Sequence, residues 1–480
     1  MYNNKLFKSK VLRKIICVAM AIFMLTAATA CGSAAASSSK ESSPENNTLT
    51  ISVITKDMYL DAAVKKFEEQ HPGITIDVKE YTSNPLPASD GKGTMVMVGE
   101  KSEDVEKYAS AMNTQLMSGK GPDIMLLSPL PYENYIDKNI LANLSEMMES
   151  DKSFDINKYY TNILDAMKYN GSLYGLPISV SLDVMEANKA LLDEYNIRID
   201  DGKWTWDDFE KTAESILESS NKSGTQSMYA LSGMDGSMLI SSLVSKSFNK
   251  FVDKSEKTAG FDSGEFINLL NLAKSMIDKG YINTDTSQGK MADLASRGNT
   301  VFSVDSIRSY MDMMMVNQIY SDGVEFLKYP GDGPDQSFTA NTLYGINNKS
   351  GNIALAWEFL KFLVSDEMMS QPSLGGLPVN RDAALMAAQN AVDMSKKASG
   401  GGGKMMLSKN GQSVSINKPI TQEDVDIVQN LLGGASKYTK VDQKVLSIIQ
   451  EETKAFFESQ KSADDTAKTI QDRVNTYINE

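Results

Sequence analysis

The sequence predicts an α/β protein with room for two lobes. Three observations carry this. About 450 residues remain once an exported leader of thirty is set aside, enough for two separate cores. Beyond the leader the chain opens as strand, helix, strand. Runs rich in β-branched residues then alternate with amphipathic stretches of helical spacing.

The first strand is "TLTISVIT", Thr48 to Thr55, which ends in a polar loop at Lys56 and Asp57. Leu60, Val64 and Phe67 come next at i, i+4, i+7 on one helical face, with lysines and glutamates opposite. "HPG" stops that helix and "ITIDVKEY" alternates as a second strand, so the opening reads as a βαβ unit in a parallel sheet. The Gly/Pro-bearing segment Thr82 to Ser102 is long for a loop in a compact unit. Helical spacing resumes at Val105, Ala109, Met112 and Leu116, and "GKGPDIMLLS" makes a turn and a buried strand. Two strand-like stretches flank Leu176-Pro177. "WTWDDFEKTAESIL" opens a helix whose Asp207 and Asp208 suit its positive N-terminal end. "SMYALSG", "NTVFSVDS", "VEFLKYPGDG" and "TLYGINN" read as later strands. Beyond "GGLPVNRDAA" the chain reads as almost wholly helical, with a long loop over Met394 to Lys418. No repeat of 20 to 50 residues is present.

The leader has a positive start (Lys5, Lys8, Lys10, Arg13, Lys14), an apolar run from Ile15 to Ala30, and small residues before Cys31. That is the pattern of a secretory signal with its cleavage site, and the run is short for a spanning helix. Of the two cysteines, Cys17 lies inside the run, so cleavage would leave Cys31 alone, without an intrachain partner. Leu25 to Cys31 resembles a bacterial lipobox, with Ala28 where leucine is more usual. The resemblance implies a lipid anchor on Cys31 at the membrane, and residues 31–47 then read as lipidated cysteine and flexible tether.

Composition excludes several classes. The formal charge is −14, and the leader carries five positive and no negative side chains, so the remainder stands at −19. A chain so acidic repels phosphate backbones, and no nucleic-acid partner is expected. The single histidine, His71, lies at a helix end and reads as a turn residue. With one histidine and no thiol beyond Cys31, Cys/His metal clusters, HExxH and a Cys-His dyad are excluded. No G-x-S-x-G pairs with His71, and "ASGGGGK" lacks both the first glycine and the Ser or Thr of a phosphate loop. No cofactor is expected. Paired carboxylates, as in glycosidases, stay open among the 62 acids.

The ordered pieces "AVKKFEEQHPGITIDVKEY", "GKGPDIMLLS", "NGSLYGLPISVSLDVMEANKALL", "TWDDF", "ALAWEFLKFLVSDEMMSQ", "GGLPVNRDA" and "AKTIQDRVNTYINE" resemble the extracellular solute-binding proteins of bacterial ABC importers, in the group that includes the maltose-binding protein. The resemblance implies a type II periplasmic-binding-protein-like fold: two α/β lobes and a hinge crossed more than once. It places residues 48–176 and 323–374 in an N-terminal lobe and 177–322 and 375–480 in a C-terminal lobe. It implies a non-enzymatic, monomeric binder that delivers a solute, above all an oligosaccharide, to permease subunits. A peptide or polyamine binder and an anchored glycosidase are the alternatives.

A ligand between lobes would lie beyond the carboxyl ends of the strands. That nominates Lys56, Asp57 and Tyr59 after the first strand, each of which reads equally well as part of a solvated turn. Ser128 and Tyr132 stand just past "DIMLLS", whereas Asp123 within it reads as a brace for local backbone. Ser179 and Ser181 leave the expected hinge. Asp305 and Arg308 stand at a strand end, and Arg308 and Arg381 are two of only five arginines beyond the leader. Ion pairing explains each of these as well as ligand contact does. Gly375 and Gly376 would admit close backbone approach. Trp204, Trp206 and Trp357 read as packing residues, which leaves sugar stacking to tyrosines such as Tyr59, Tyr132, Tyr174 or Tyr344.

Overall fold

The computed structural model describes residues 47–83, 101–223, 228–253, 256–284, 300–320, 322–331, 333–399, 405–409, 412–416 and 418–479. These belong to one compact unit, Asn46–Glu480. Cys31 and most of the Thr82 to Ser102 segment lie outside them.

Among the described residues, nine strands form the main sheet: β1 (Thr48–Val53), β2 (Thr75–Glu80), β3 (Ile124–Leu126), β4 (Leu176–Asn188), β5 (Phe302–Ile307), β6 (Val324–Leu327), β7 (Gln336–Ile346), β8 (Leu377–Pro378) and β9 (Ala435–Tyr438). The longer helices are α1 (Met58–Gln70), α2 (Ser102–Met117), α3 (Trp206–Ser223), α4 (Gly236–Lys246), α5 (Gly264–Asp278), α6 (Asp312–Ile319), α7 (Ile353–Leu363), α8 (Arg381–Ser399), α9 (Gln422–Gly434), α10 (Gln443–Phe457) and α11 (Ala463–Asn479). The opening is the expected βαβ unit: β1 pairs in parallel with β2 from Thr48↔Thr75 to Val53↔Glu80. Asp57 caps α1 by accepting from Leu60 N, which fixes where the loop ends. His71 closes the helix, its Nδ1 2.9 Å from the Phe67 carbonyl and its ring stacked on that of Phe67. The last carbonyls of α7 are also satisfied: Tyr59 donates to Leu363 O, and Tyr159 and Asn380 donate to Val364 O.

Two hydrophobic cores result. One gathers residues from Leu49 to Val184, Ile307 to Tyr320 and Phe338 to Ala435. The other gathers residues from Met185 to Phe302, then Leu327 and Tyr329, then Val445 to Val474. The division differs from the one expected around Leu176-Pro177, Asp322-Gly323 and Leu374-Gly375. Leu176 to Asn188 is a single strand, and it changes core in its middle rather than at its start. The apolar sides of α6, α8 and α9 (Met313, Met314, Ala383, Ala384, Val428, Leu432) pack on the first core, although their sequence was expected in the second lobe. The expected 394–418 loop differs too. α8 continues to Ser399, and Met405–Lys409 pairs antiparallel with Gln412–Ile416. Strands thus interrupt a tail expected to be almost wholly helical apart from that loop.

Candidate functional site: an inter-lobe cleft

Sheet directions show which strand ends lie together. β1 and β3 are parallel, β3 is antiparallel to β7, and β7 is antiparallel to β4. β1, β3 and β4 therefore run the same way. Because β4 runs out of the first core into the second, the loops after β1 and β3 face the second core. Lys56, Asp57 and Ser128 lie on those loops. β8 is antiparallel to β4, so Gly375 and Gly376, which precede it, also lie at this end.

Four predicted residues meet here around one that the sequence pattern does not single out, Asn341. Ser181 Oγ donates to Asn341 Oδ1 at 2.8 Å, and Asn341 Nδ2 donates to the Gly375 carbonyl at 3.0 Å. A Cβ on Gly376 would meet Asn341 and come within 2.6 Å of Ser179 Oγ. Glycine is needed there for space. Ser179, Ser181 and Asp183 alternate along β4 and Thr339 and Asn341 along β7, which puts a polar stripe on one face of each strand. The stripe was visible as the alternation in "PISVSLDV", but the match between strands 160 residues apart was not.

A second group lies after β1. Asp57 is exposed on this loop. Desolvation raises its carboxyl pKa, opposed by backbone hydrogen bonds from Leu60 and Tyr59. Lys56 Nζ pairs with Asp61 at 2.8 Å, and the Lys56 N–H donates to Glu80. Tyr59 and Tyr344 are buried, at 4% exposure each, and burial raises both phenols.

The loop after β3 is tied from both sides. Ser128 Oγ accepts from Leu343 N at 3.1 Å. Tyr132 is buried, its ring covered by the Lys440 ammonium 3.7 Å from the centroid, and Lys440 also pairs with Glu133. Burial pushes the Tyr132 phenol well up, with Tyr438 and Glu133 acting in the same direction. Of the four tyrosines expected to stack a sugar, Tyr59, Tyr132 and Tyr344 thus expose no ring face in this arrangement, and Tyr174 is half-buried. Packing has taken their faces. The three tryptophans pack as expected: Trp204 donates to Lys328 O, Trp357 to Asp151, and Trp206 lies against Phe209. Asp123 braces β1 as expected, accepting from Thr50 N and Thr50 Oγ1 at 2.7 Å each.

The remaining candidates stand apart from Asn341. Arg308 is exposed, and its backbone N–H donates to the Asp312 carboxylate at 2.7 Å. Asp305 accepts from Ser306 N and belongs to the crossing strand β5. Arg381 donates through Nε to Tyr159 O and lies over the Tyr160 ring, 4.5 Å from its centroid, where it braces the start of α8.

A cavity of about 280 Å³ lies between the cores beside the β3 loop. Glu133 and Tyr169 line it from the first side, Phe248 and Asp253 from the second, and Lys440 and Asp442 from the segment that crosses between them. Carboxylates outnumber ammonium groups there three to one. A second cavity, about 250 Å³, lies beside Trp204 and is lined from the second core's side only.

Residues 52–370 match the family described as bacterial extracellular solute-binding protein. The maltotriose-binding protein of Pyrococcus abyssi is 22% identical over 294 residues, 59% of each chain. Among solved structures, the sugar-binding protein MalE from the phytopathogen Xanthomonas citri aligns over 90% of this chain and 97% of its own, with 15% identity and a TM-score of 0.59. An ABC substrate-binding protein from Listeria monocytogenes in complex with cycloalternan aligns over 90% and 99%, with 18% identity and a TM-score of 0.53. At these identities the solved structures establish the two-lobed fold.

Proposed function

Because the chain belongs to the bacterial extracellular solute-binding proteins, we propose that it captures a carbohydrate, above all an oligosaccharide, between its two lobes and hands it to the membrane permease of an ABC importer. The observation that carries this reading is that the loops after β1 and β3, with Lys56, Asp57 and Ser128, and the Asn341–Gly375–Gly376 contact beside β4 lie at the same end of the sheet, toward the second core. Hydroxyl, amide, carboxylate and ammonium groups in that setting suit a polyhydroxylated solute. Binding would favour the lobe arrangement in which both sides touch the solute. Among the described residues no helix is long and apolar enough to cross a membrane. Attachment through a lipid on Cys31 is part of the proposal: the protein recovered from membranes should carry diacylglycerol mass, and Cys31→Ser should lose both that mass and the membrane fraction.

The acidic lining of the inter-lobe cavity favours a second solute class, organic cations such as polyamines. The test is thermal melting against oligosaccharides, peptides and polyamines. A solute at a thousand times its dissociation constant stabilises by about 4 kcal/mol. A reproducible rise with an oligosaccharide recovered intact supports the first reading, and a rise with polyamines alone supports the second. Breakdown of the sugar during the assay would overturn capture as the function.

A further inference from the structure

Strand β4 changes its partners on both edges within a few residues. On one edge, β7 pairs up to Leu182↔Phe338 and β6 takes over at Met185↔Leu327. On the other, β8 pairs at Ser179 and Val180, and β5 pairs from Leu182 onward. Among the described residues, Asp183 and Val184 therefore have no strand partner on the first edge. A side chain stands in: Gln336 Nε2 donates to the Asp183 carbonyl at 2.6 Å and to Ser337 O at 3.0 Å. This is where β4 passes from one core to the other.

The Asp183 side chain binds three elements at that point. On a residue only 4% exposed, its carboxylate accepts from Lys246 Nζ at 2.9 Å, Ser306 Oγ at 3.0 Å and Thr339 Oγ1 at 3.2 Å. Lys246 ends α4, which packs on the second core, whereas Thr339 lies on β7 between Phe338 and Ala340 of the first. The Lys246 ammonium also lies 4.6 Å from the centroid of the Tyr329 ring. Gln336 Oε1 is buried and has no hydrogen-bond partner among the described residues. A buried carboxylate requires its partners, and rotation of one lobe against the other would pull Lys246 away from Thr339.

We infer that the Asp183–Lys246 pair, with Gln336 bridging the gap in the sheet, is a hinge lock: it fixes the angle between the lobes and, given the solute-binding reading on which this rests, sets the fraction of molecules competent to bind. Asp183 and Lys246 are positioning residues, acting on the solute through the lobe angle alone. The rest of each core keeps its packing.

The test is Lys246→Met in the full-length chain, read by hydrogen exchange and by the dissociation constant of the solute found in the melting panel. Amides of 183–185 and 336–338 should exchange at least tenfold faster while those of α1 and α10 keep their rates. The dissociation constant should change at least fivefold, and Lys246→Arg should stay within twofold of the native value. The paired variant Asp183→Asn with Lys246→Met leaves no unmatched buried charge, and serves if the single variant fails to fold. Unchanged exchange at the crossing would overturn the lock. Equal acceleration in both cores would do so too, because it reports general destabilisation. Faster exchange with an unchanged dissociation constant would leave a structural pair and overturn its role in affinity. Absence of any solute would count against the functional reading alone, since the exchange measurement needs none.

Discussion

Asp151 shows how much one exposed-edge carboxylate can hold. It accepts from Lys361 Nζ at 2.6 Å, Trp357 Nε1 at 2.9 Å, and the Ser153 N–H and hydroxyl. The Lys361 hydrogen bond leads in lowering its pKa far below the usual carboxylate range. A depressed carboxyl stabilises the fold fully above its unfolded value, about 4, and loses that contribution as pH falls toward the folded value. Asp57 and Asp312, both raised by desolvation, contribute the opposite slope, with stability lost as pH rises through their folded range. Asp151→Asn should therefore lower stability at pH 7 by roughly 1–3 kcal/mol and flatten the fall of the melting temperature between pH 5 and 2. An unchanged slope would locate acid sensitivity elsewhere. Gly376 makes a different case, decided by space. Gly376→Ala forces its Cβ against Asn341 and Ser179, a strain of about 1–3 kcal/mol. We expect weaker solute binding, by tenfold or more, with a melting temperature within a few degrees of native; calorimetric titration beside a melting scan separates the two effects.

At the scale of elements, the cores explain what the sequence could and could not disclose. The βαβ opening was legible because alternation, helical spacing and the "HPG" stop all lie within thirty-five residues, and their partners are close in the chain. The packing of Trp204, Trp206 and Trp357 and the brace at Asp123 were legible for the same local reasons. Which core a helix joins was not. α9 buries Val425, Val428 and Leu432, and α10 buries Val445, Ile448 and Ile449, with the same amphipathic pattern, yet they pack on different cores. An apolar stripe declares that a helix is covered, not by what. The candidate site divides likewise. Ser179 and Ser181 could be read from alternation along β4, whereas Asn341, Gln336 and Lys246 enter through contacts with Ser181 and Asp183, more than sixty residues away. Leu432→Ala and Ile449→Ala test the division directly. Each should cost about 2–5 kcal/mol. The first should speed exchange in β1 and spare α5, and the second should do the reverse. Acceleration of both regions by either change would mean that the two cores open as one.

At the scale of the whole molecule, the two cores share strands instead of being strung on a linker. Besides β4, the chain passes between them along β5, from Tyr320 to Leu327, from Tyr329 to Phe338, and from Ala435 to Val445. Motion between lobes is then a bend shared by several crossings, of which β4, β5 and β7 meet at Asp183. A solute can move such an equilibrium only by binding one arrangement better than the other. Shifting it from 1:99 to 99:1 takes about 5.5 kcal/mol of differential affinity. One wall of the cleft touched equally in both arrangements supplies none of that, so the solute must engage both lobes at once. We expect addition of the solute to slow exchange together in 54–57 and 127–131 of the first lobe and in 248–253 of the second, with a smaller radius of gyration in solution scattering. Protection confined to the first lobe, with the radius unchanged, would mean that the solute rests on one face without drawing the lobes together. The hinge at β4 would then have no part in capture.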